Sequence, residues 1–368
     1  MKEIRIQFIL SNCYRYCFWI FYRLLYLLRI DRFIPRCYEL WYLSAVACDG
    51  DVLCHCTASL KPFVLGSLLN KTFTQIWQGD SYNKLRHDMI RGKLPHYRCV
   101  GCARLKESEL KRKLEQSNHE PRLSKLFIEP TVLCNLKCIS CQNRNAIPTR
   151  KNYTFSIDML RSLLKDVKPS LKVMYPFFDG EIFVTPKAYE MLRIIREEVP
   201  EVFIHFHTNG VLLDTPAKRQ ELIGNVDHIV MSIDGATPDS YLKYRRGGNF
   251  QKAYENMKML IREREAAGEI IPRVDWKYLL FRWNSSEEEI ALTMKLALEA
   301  GVDRLMLEPT IRPFWGISLK GIMNKNKYRK MQFGRIYEDR IALSAKEKRV
   351  KPKSQIDVLS CSFTIPIK

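Results

Sequence analysis

Six short apolar runs alternate with amphipathic stretches over the greater part of the chain. Continuous apolar runs of this length are typical of buried parallel strands, and the stretches between them have the period of helices. The predicted strands lie at residues 126–129, 171–178, 202–207, 227–233, 273–280 and 304–308. The predicted helices lie at 157–168, 186–198, 215–223, 249–268 and 286–300, with candidate N-caps at Asp158, Thr185, Thr215, Asn249 and Ser286.

Strands that alternate with helices predict an α/β fold, because a helical crossover returns the chain to a parallel strand. Either an open doubly wound sheet or a partly closed barrel fits the pattern. In both folds the functional residues lie at the carboxyl ends of the strands.

Unusual polar residues follow four of the predicted strands at that end. A loop with three cysteines follows the first strand, and Asp179-Gly180-Glu181 follows the second. Thr208-Asn209-Gly210 follows the third, and Ser232-Ile233-Asp234-Gly235 follows the fourth, with Arg245 shortly afterwards. Since the carboxyl ends of parallel strands share one edge, these four sets predict a single site.

The three-cysteine loop has the spacing C-x3-C-x2-C at Cys134, Cys138 and Cys141. Three thiolates so close together can hold one iron-sulfur cluster and leave one iron without a protein ligand. A zinc site completed by a distant fourth ligand is the other interpretation that the spacing leaves open.

A second cysteine-rich region precedes the predicted strands. Residues 49–52 predict a hairpin turn, residues 81–90 predict a helix after the turn at Gly79-Asp80, and 106–122 predict an exposed helical linker ending at a domain boundary near 120. One cluster or one zinc needs four ligands, so at least two of the six cysteines are spare. The cysteines of this region are Cys37, Cys48, Cys54, Cys56, Cys99 and Cys102.

The charge of the chain lies mainly at its ends. The 368 residues carry a net charge of +20, of which residues 1–36 contribute +5 and residues 309–368 contribute +10. Basic ends on a nearly balanced body indicate an anionic surface or substrate. The 12 cysteines come in close sets without a signal-like N-terminus, which favours metal ligation in a reducing cytoplasm over disulfides.

Residues 8–30 are strongly apolar and aromatic, but Arg15, Arg23 and Arg29 interrupt the run. No uncharged span is long enough to cross a membrane. Two interpretations stay open: a helix packed on the body of the protein, and a helix lying in a membrane interface.

In combination, these motifs resemble those of the radical S-adenosylmethionine (radical SAM) enzymes over roughly residues 124–308. The resemblance implies a partial (β/α)6 TIM-like barrel. The region around Cys37 to Cys102 resembles the auxiliary-cluster domain called SPASM or, in its shorter form, Twitch, although that domain more commonly follows the barrel. The implied organisation is an amphipathic segment at 1–36, a SPASM/Twitch-like domain at 37–105, a linker at 106–123, the barrel at 124–310 and a basic extension at 311–368.

The family's roles can be carried over to matching positions. Cys134, Cys138 and Cys141 would ligate the catalytic [4Fe-4S] cluster, whose fourth iron would take the methionyl amine and carboxylate of S-adenosylmethionine. The cofactor-binding positions would be Asp179, Gly180, Glu181, Asn209, Ser232 and Arg245, with Arg245 pairing with the carboxylate. Asp179 replaces the first glycine of the family's Gly-Gly-Glu, and Ser140 stands where an aromatic residue is common.

The resemblance also implies a second, auxiliary [4Fe-4S] cluster, ligated by Cys37, Cys54 or Cys56, Cys99 and Cys102. Cys48 and the unused member of the Cys54/Cys56 pair are equally well explained as buried thiols. A flavodoxin- or ferredoxin-type protein is the implied electron donor.

The implied reaction starts with reductive cleavage of S-adenosylmethionine to a 5′-deoxyadenosyl radical that abstracts a substrate hydrogen. The basic ends favour a sugar or glycolipid substrate at an anionic membrane surface, with a peptide or protein substrate as the alternative within the family. We expect a cytoplasmic protein, peripheral at the inner face of a membrane. A zinc-bearing nucleic-acid-binding protein is the other class considered, but it does not explain the motifs after the strands, so nucleic acid is not the expected partner.

Overall fold

The computed structural model describes residues 17–28, 30, 34–55, 64–101, 105–324 and 326. It divides into two compact units. The first consists of Met1–Leu133 and Gln142–Gly180, and the second of Cys134–Cys141 and Glu181–Lys368. Cys56, Cys102 and most of the basic C-terminal extension lie outside the described residues.

The first unit contains a five-stranded run of sheet in the order β3-β2-β1-β4-β5. Strands β1 and β2 form the antiparallel hairpin predicted around residues 49–52, and Gly50 takes the positive φ of 87° that its turn requires. Strand β1 also pairs in parallel with β4, so the cysteine-rich hairpin extends the same sheet. The strands are β1 (Leu43–Val46), β2 (Asp51–Leu53), β3 (Gly66–Ser67), β4 (Lys125–Ile128) and β5 (Val173–Tyr175).

The helices of the first unit include the two predicted in the cysteine-rich region and its linker. The predicted linker helix buries Leu110 and Leu114. Helix α1 is described at residues 17–27. The others are α2 (Phe73–Trp77), α3 (Asp80–Ile90), α4 (Glu107–Gln116), α5 (Asn143–Ala146) and α6 (Ile157–Val167), with 3-10 turns at Glu39–Trp41, Tyr97–Gly101 and Ile147–Thr149.

No helix in the part of the chain that the structure describes has the length and apolarity needed to span a membrane.

The second unit contains four parallel strands in the order β6-β7-β8-β9. They are β6 (Phe203–Thr208), β7 (His228–Ser232), β8 (Arg273–Leu280) and β9 (Arg304–Pro309). Its helices are α7 (Ala188–Glu198), α8 (Pro216–Gln220), α9 (Pro238–Tyr244), α10 (Phe250–Ala266), α11 (Glu287–Ala300) and α12 (Leu319–Met323), with 3-10 turns at Ile182–Val184 and Phe314–Gly316.

All six predicted strands and all five predicted helices are present. The fold class is confirmed as mixed α/β with parallel strands and alternating helices, as expected for a partial (β/α)6 TIM-like barrel with an N-terminal cysteine-rich domain. The hydrophobic pattern identified these elements because the strands bury most of their apolar side chains. Strands β4 and β5, for example, are buried at nearly every position.

Two of the five predicted caps are wrong. Ser156, not Asp158, caps helix α6 by accepting a hydrogen bond from the Met159 N–H, and Asp158 lies in the first turn. Lys187, not Thr185, occupies the N-cap position of α7, without a side-chain cap hydrogen bond. The caps Thr215, Asn249 and Ser286 are confirmed, each accepting a hydrogen bond from a backbone N–H three residues on.

Ser156 and Asp158 at the start of α6 should contribute differently to the stability of the protein. Replacing Ser156 by Ala removes the cap hydrogen bond and should lower the free energy of unfolding by about 1 kcal/mol. Replacing Asp158 by Ala removes only a charge favourable to the helix dipole and should cost about 0.3–0.5 kcal/mol. Urea unfolding of the two variants measures the difference, and an equal or larger loss for the Asp158 variant would contradict the assignment of the cap.

Candidate active site

The loop from Cys134 to Cys141 belongs to the second unit and is attached by its backbone to the end of helix α9. The Lys137 N–H donates to the Arg246 carbonyl at 2.9 Å, and the Ile139 N–H donates to the Tyr244 carbonyl at 3.2 Å. These two hydrogen bonds hold the segment between the first and third cysteines in one conformation.

Apolar residues pack around the loop. Leu136 and Ile139 are buried with Tyr244 and Phe281, and Trp283 and Trp315 pack against the same cluster. The same cluster contains Cys138 and contacts Cys134, so water is excluded from one side of these two thiols.

The three thiols differ in burial. Cys138 is buried, Cys134 is half-buried and Cys141 is exposed. Burial raises the pKa of Cys134 to about 12, and it raises the pKa of Cys138 although Arg245 acts in the opposite direction. Iron binds the thiolate form, so assembly of a cluster here releases protons.

Arg245 lies beside the loop in a buried ion pair. Its Nε donates to Asp234 Oδ2 at 2.6 Å, and its Nη1 lies 3.8 Å from the Cys138 sulfur. Burial of the guanidinium acts against its charge, but Asp234 and Cys138 together raise the pKa of Arg245 above its usual value. A permanent positive charge therefore faces one of the predicted cluster ligands.

Glu181 connects two further predicted residues. Its buried carboxylate accepts a hydrogen bond from Thr208 Oγ1 at 2.6 Å and one from the Asn209 N–H at 2.8 Å. The Asn209 side chain donates to Asn135 Oδ1 at 2.9 Å, inside the cysteine loop. Burial raises the pKa of Glu181, while the hydrogen bonds act to lower it.

Asp179 and Gly180 belong to the first unit. Arg150 lies 3.6 Å from the Asp179 carboxylate, and the Asn143 side chain donates to the Asp179 carbonyl at 3.2 Å. A Cβ at Gly180 would lie 2.0 Å from the Thr131 carbonyl oxygen. Only glycine fits at this position, because any side chain would collide with the backbone of Thr131.

Ser232 is half-buried at the carboxyl end of β7. Strand alternation places it on the same face of the sheet as Lys277, its register partner on β8. Lys277 pairs with Glu308 of β9 at 3.2 Å, and both side chains are largely buried. This face of the sheet is therefore polar and charged where it approaches the strand ends.

The cysteine-rich region of the first unit places its thiols in different surroundings. Cys37 is buried, and Cys54 and Cys99 are half-buried. Cys48 is also buried, donates from its sulfur to the Asn152 carbonyl at 3.0 Å and packs against Val132 and Ala146. Burial strongly raises the pKa of Cys48, as expected of a structural thiol.

The residues present fit an iron-sulfur cluster at the cysteine loop. Three thiols lie on one short loop, and Arg245 and a cluster of apolar residues lie next to that loop. The described residues hold no group of three His, Cys, Asp or Glu arranged around a single ion. A cluster does not need that arrangement, because each cysteine binds a different iron.

Sequence reasoning missed Asn135 and Tyr244 and assigned no role to Asp234. Asn135 lies between two cysteines, and Asp234 was noticed only as part of a motif. Tyr244 contributes its carbonyl and its ring to the loop. The position of Asp234 directly after β7 was the available signal for it, whereas nothing in the sequence pairs Asn135 with Asn209.

The hydrogen bond between Asn135 and Asn209 can be measured by a double-mutant cycle. Replacing either residue by Ala removes the same side-chain contact. The sum of the two single losses in the free energy of unfolding should therefore exceed the loss in the double variant by about 1 kcal/mol. Each single variant should also lose reconstituted iron to a chelator faster than the wild type. Strictly additive unfolding energies would show that the contact does not stabilise the loop.

Two regions of the chain are similar to known protein families. A model described as the Radical SAM superfamily matches residues 128–266, and a model of an iron-sulfur cluster-binding domain, SPASM, matches residues 37–103. A GTP 3′,8-cyclase of Peptoclostridium acidaminophilum is 25% identical over 202 residues, which are 53% of this chain and 59% of the cyclase. A GTP 3′,8-cyclase of Petrotoga mobilis is 29% identical over 137 residues, or 36% of this chain and 41% of that protein.

The chain therefore spans less than two thirds of the length of the curated relatives it matches. Among solved structures, Streptococcus suis SuiB bound to S-adenosylmethionine aligns with a TM-score of 0.43 and 16% identity, over 68% of this chain and 58% of SuiB. On the two family models, the chain contains a radical SAM domain, which implies a [4Fe-4S] cluster and S-adenosylmethionine as cofactors, and a SPASM iron-sulfur domain N-terminal to it.

Proposed function

We propose that this radical SAM enzyme oxidises or otherwise modifies a sugar or glycolipid, starting with abstraction of a hydrogen atom. When bound, the reduced cluster and S-adenosylmethionine supply a 5′-deoxyadenosyl radical, which takes the hydrogen and leaves as 5′-deoxyadenosine. The auxiliary cluster would supply an acceptor for the electron that an alcohol oxidation releases, and Cys37, Cys54 or Cys56, Cys99 and Cys102 would hold it.

The observation that carries the proposal is the position of the cysteine loop beside the ion pair between Arg245 and Asp234. Cys134, Cys138 and Cys141 would ligate the catalytic cluster. The Arg245 guanidinium, 3.8 Å from the Cys138 sulfur, favours the thiolate form that iron requires.

Arg245 has a more specific task than the family resemblance implies. Because its Nε is already bound to Asp234, the methionyl carboxylate of S-adenosylmethionine would meet a guanidinium whose orientation is fixed beforehand. Charge-assisted hydrogen bonds to such a fixed group give both affinity and geometry.

Glu181 acts in this proposal as a positioning residue for Asn209. Both of its carboxylate oxygens accept hydrogen bonds from the Thr208-Asn209 segment, and Asn209 in turn holds Asn135 of the loop. Asp179, Gly180, Asn209 and Ser232 remain the proposed contacts of S-adenosylmethionine beside Glu181 and Arg245.

The polar face of the second unit supports a hydrophilic substrate. Lys277 and Glu308 form a largely buried ion pair on the face that carries Ser232. His207 lies on the same face of β6, and burial together with Lys277 lowers its pKa well below the usual value. A neutral imidazole and a charged pair offer donors and acceptors to hydroxyl groups, whereas an apolar side chain would leave them unsatisfied.

For the auxiliary cluster, Cys37, Cys54 or Cys56, Cys99 and Cys102 remain the proposed ligands. In this proposal Cys48 is not a ligand, because its sulfur donates to the Asn152 carbonyl and it packs against apolar residues. A flavodoxin- or ferredoxin-type protein is the proposed electron donor, and the cytoplasmic face of a membrane is the proposed location.

The assignment of two clusters predicts iron content and reaction together. Anaerobically reconstituted wild-type protein should bind about eight irons and, with dithionite, release 5′-deoxyadenosine from S-adenosylmethionine. Replacing Cys134, Cys138 and Cys141 by Ala should leave about four irons and abolish the release. Replacing Cys48 by Ala should change neither quantity, and it serves as the matched control.

Loss of all iron in the triple variant would contradict two separate sites. A colourless wild-type protein with tightly bound zinc would overturn the proposed chemistry. The substrate class is tested by the rate of 5′-deoxyadenosine release, which nucleotide sugars should raise above the substrate-free rate. A rise with peptides and not with nucleotide sugars would favour the peptide alternative.

A further inference from the structure

Helix α1 presents an apolar surface to solvent. Leu24, Leu27 and Leu28 are 52%, 71% and 66% exposed, and Ile20 and Phe21 are exposed as well. At 100° per residue these five positions fall within about 120° of the helix circumference. They are called the outer face below.

The opposite side of α1 is attached to the first unit. Trp19 Nε1 donates to the Leu94 carbonyl at 2.9 Å, and Tyr22, Leu25 and Tyr26 are half-buried on that side. A surface helix packed in this way normally carries polar residues outward. Here the outer face is apolar too, so packing on the body does not explain it.

The charge around α1 indicates what the outer face contacts. Residues 1–36 carry a net charge of +5 within a chain of +20. A second copy of the chain would bring two such positive segments together, whereas anionic lipid headgroups would neutralise them.

The cationic and aromatic residues of α1 also suit a membrane interface. Arg23 is exposed beside the outer face, and its guanidinium lies over the Trp19 ring, 4.9 Å from the ring centre. A long cationic side chain can reach headgroups while its stem lies along apolar surface. A charge at this position suits a helix lying flat in the interface.

We propose that the outer face of α1 inserts into the interfacial layer of an anionic membrane and anchors the enzyme there. The anchor goes beyond the proposed reaction and does not depend on it. It brings the enzyme to substrates that are themselves held at the membrane.

The test compares vesicle binding of the reconstituted full-length protein and two triple variants. The first variant replaces the outer-face residues Leu24, Leu27 and Leu28 by Gln. The matched control replaces Leu69, Leu298 and Leu319 by Gln, three leucines elsewhere that are 58%, 66% and 71% exposed. Sedimentation uses vesicles of phosphatidylcholine alone and vesicles in which roughly a third of the lipid is phosphatidylglycerol.

Wild type and control should bind the anionic vesicles equally, and the outer-face variant should bind at least about tenfold more weakly because its apolar contact is lost. Binding of the wild type should fall by about tenfold without the anionic lipid. Equal binding by the outer-face variant, or no binding by the wild type, would overturn the proposal. So would a wild-type dimer that the outer-face variant dissociates, since the face would then be a subunit interface.

Release of 5′-deoxyadenosine with dithionite, measured in the same three proteins, separates the two proposals. All three should release it at the same rate, which also shows that the variants are folded. If none of the proteins releases 5′-deoxyadenosine but vesicle binding differs among them as expected, the proposed reaction is wrong and the proposed membrane anchor is still supported.

Discussion

The site of the second unit depends on the buried ion pair between Asp234 and Arg245. Asp234 is fully buried and accepts hydrogen bonds from Arg245 and from the Leu279 N–H of β8 at 2.8 Å. Removing one partner of such a pair costs about 3–5 kcal/mol, because the other charge stays buried without compensation. The end of β7, the end of β8 and the last turn of α9 are therefore held in one arrangement, and the cysteine loop rests on it.

The loop itself is held from two directions. The carbonyls of Tyr244 and Arg246 accept from its backbone on one side, and Asn209 binds Asn135 on the other. A loop fixed in this way presents its thiols without the entropy loss that a free segment would pay on binding a cluster. Glu181 connects this support to β6, because its carboxylate accepts hydrogen bonds from Thr208, the last residue of β6, and from the Asn209 N–H.

The first unit also contains a buried ion pair, between Arg150 and Glu129. Arg150 binds both oxygens of Glu129, at 2.6 and 2.9 Å, and the Cys48 N–H donates to the same carboxylate at 3.0 Å. Together with the pairing of β1 on β4, this network joins the SPASM hairpin to the first strand of the radical SAM region. The two sequence domains are thus continuous in the sheet of this unit, which explains why the division of the structure into compact units does not follow their boundaries.

The order of strands and helices could be predicted from the sequence, because apolar periodicity records which side of each element is buried. The sequence also predicted that the cysteine loop, Glu181, Asn209 and Arg245 follow strands at the same end, because parallel strands share their direction. The contacts within those sets are visible only in the folded chain. Asn135 meets Asn209 and Cys48 meets Glu129 across 74 and 81 residues. Contacts of that kind depend on the twist and stagger of the sheet, which no local pattern of residues encodes.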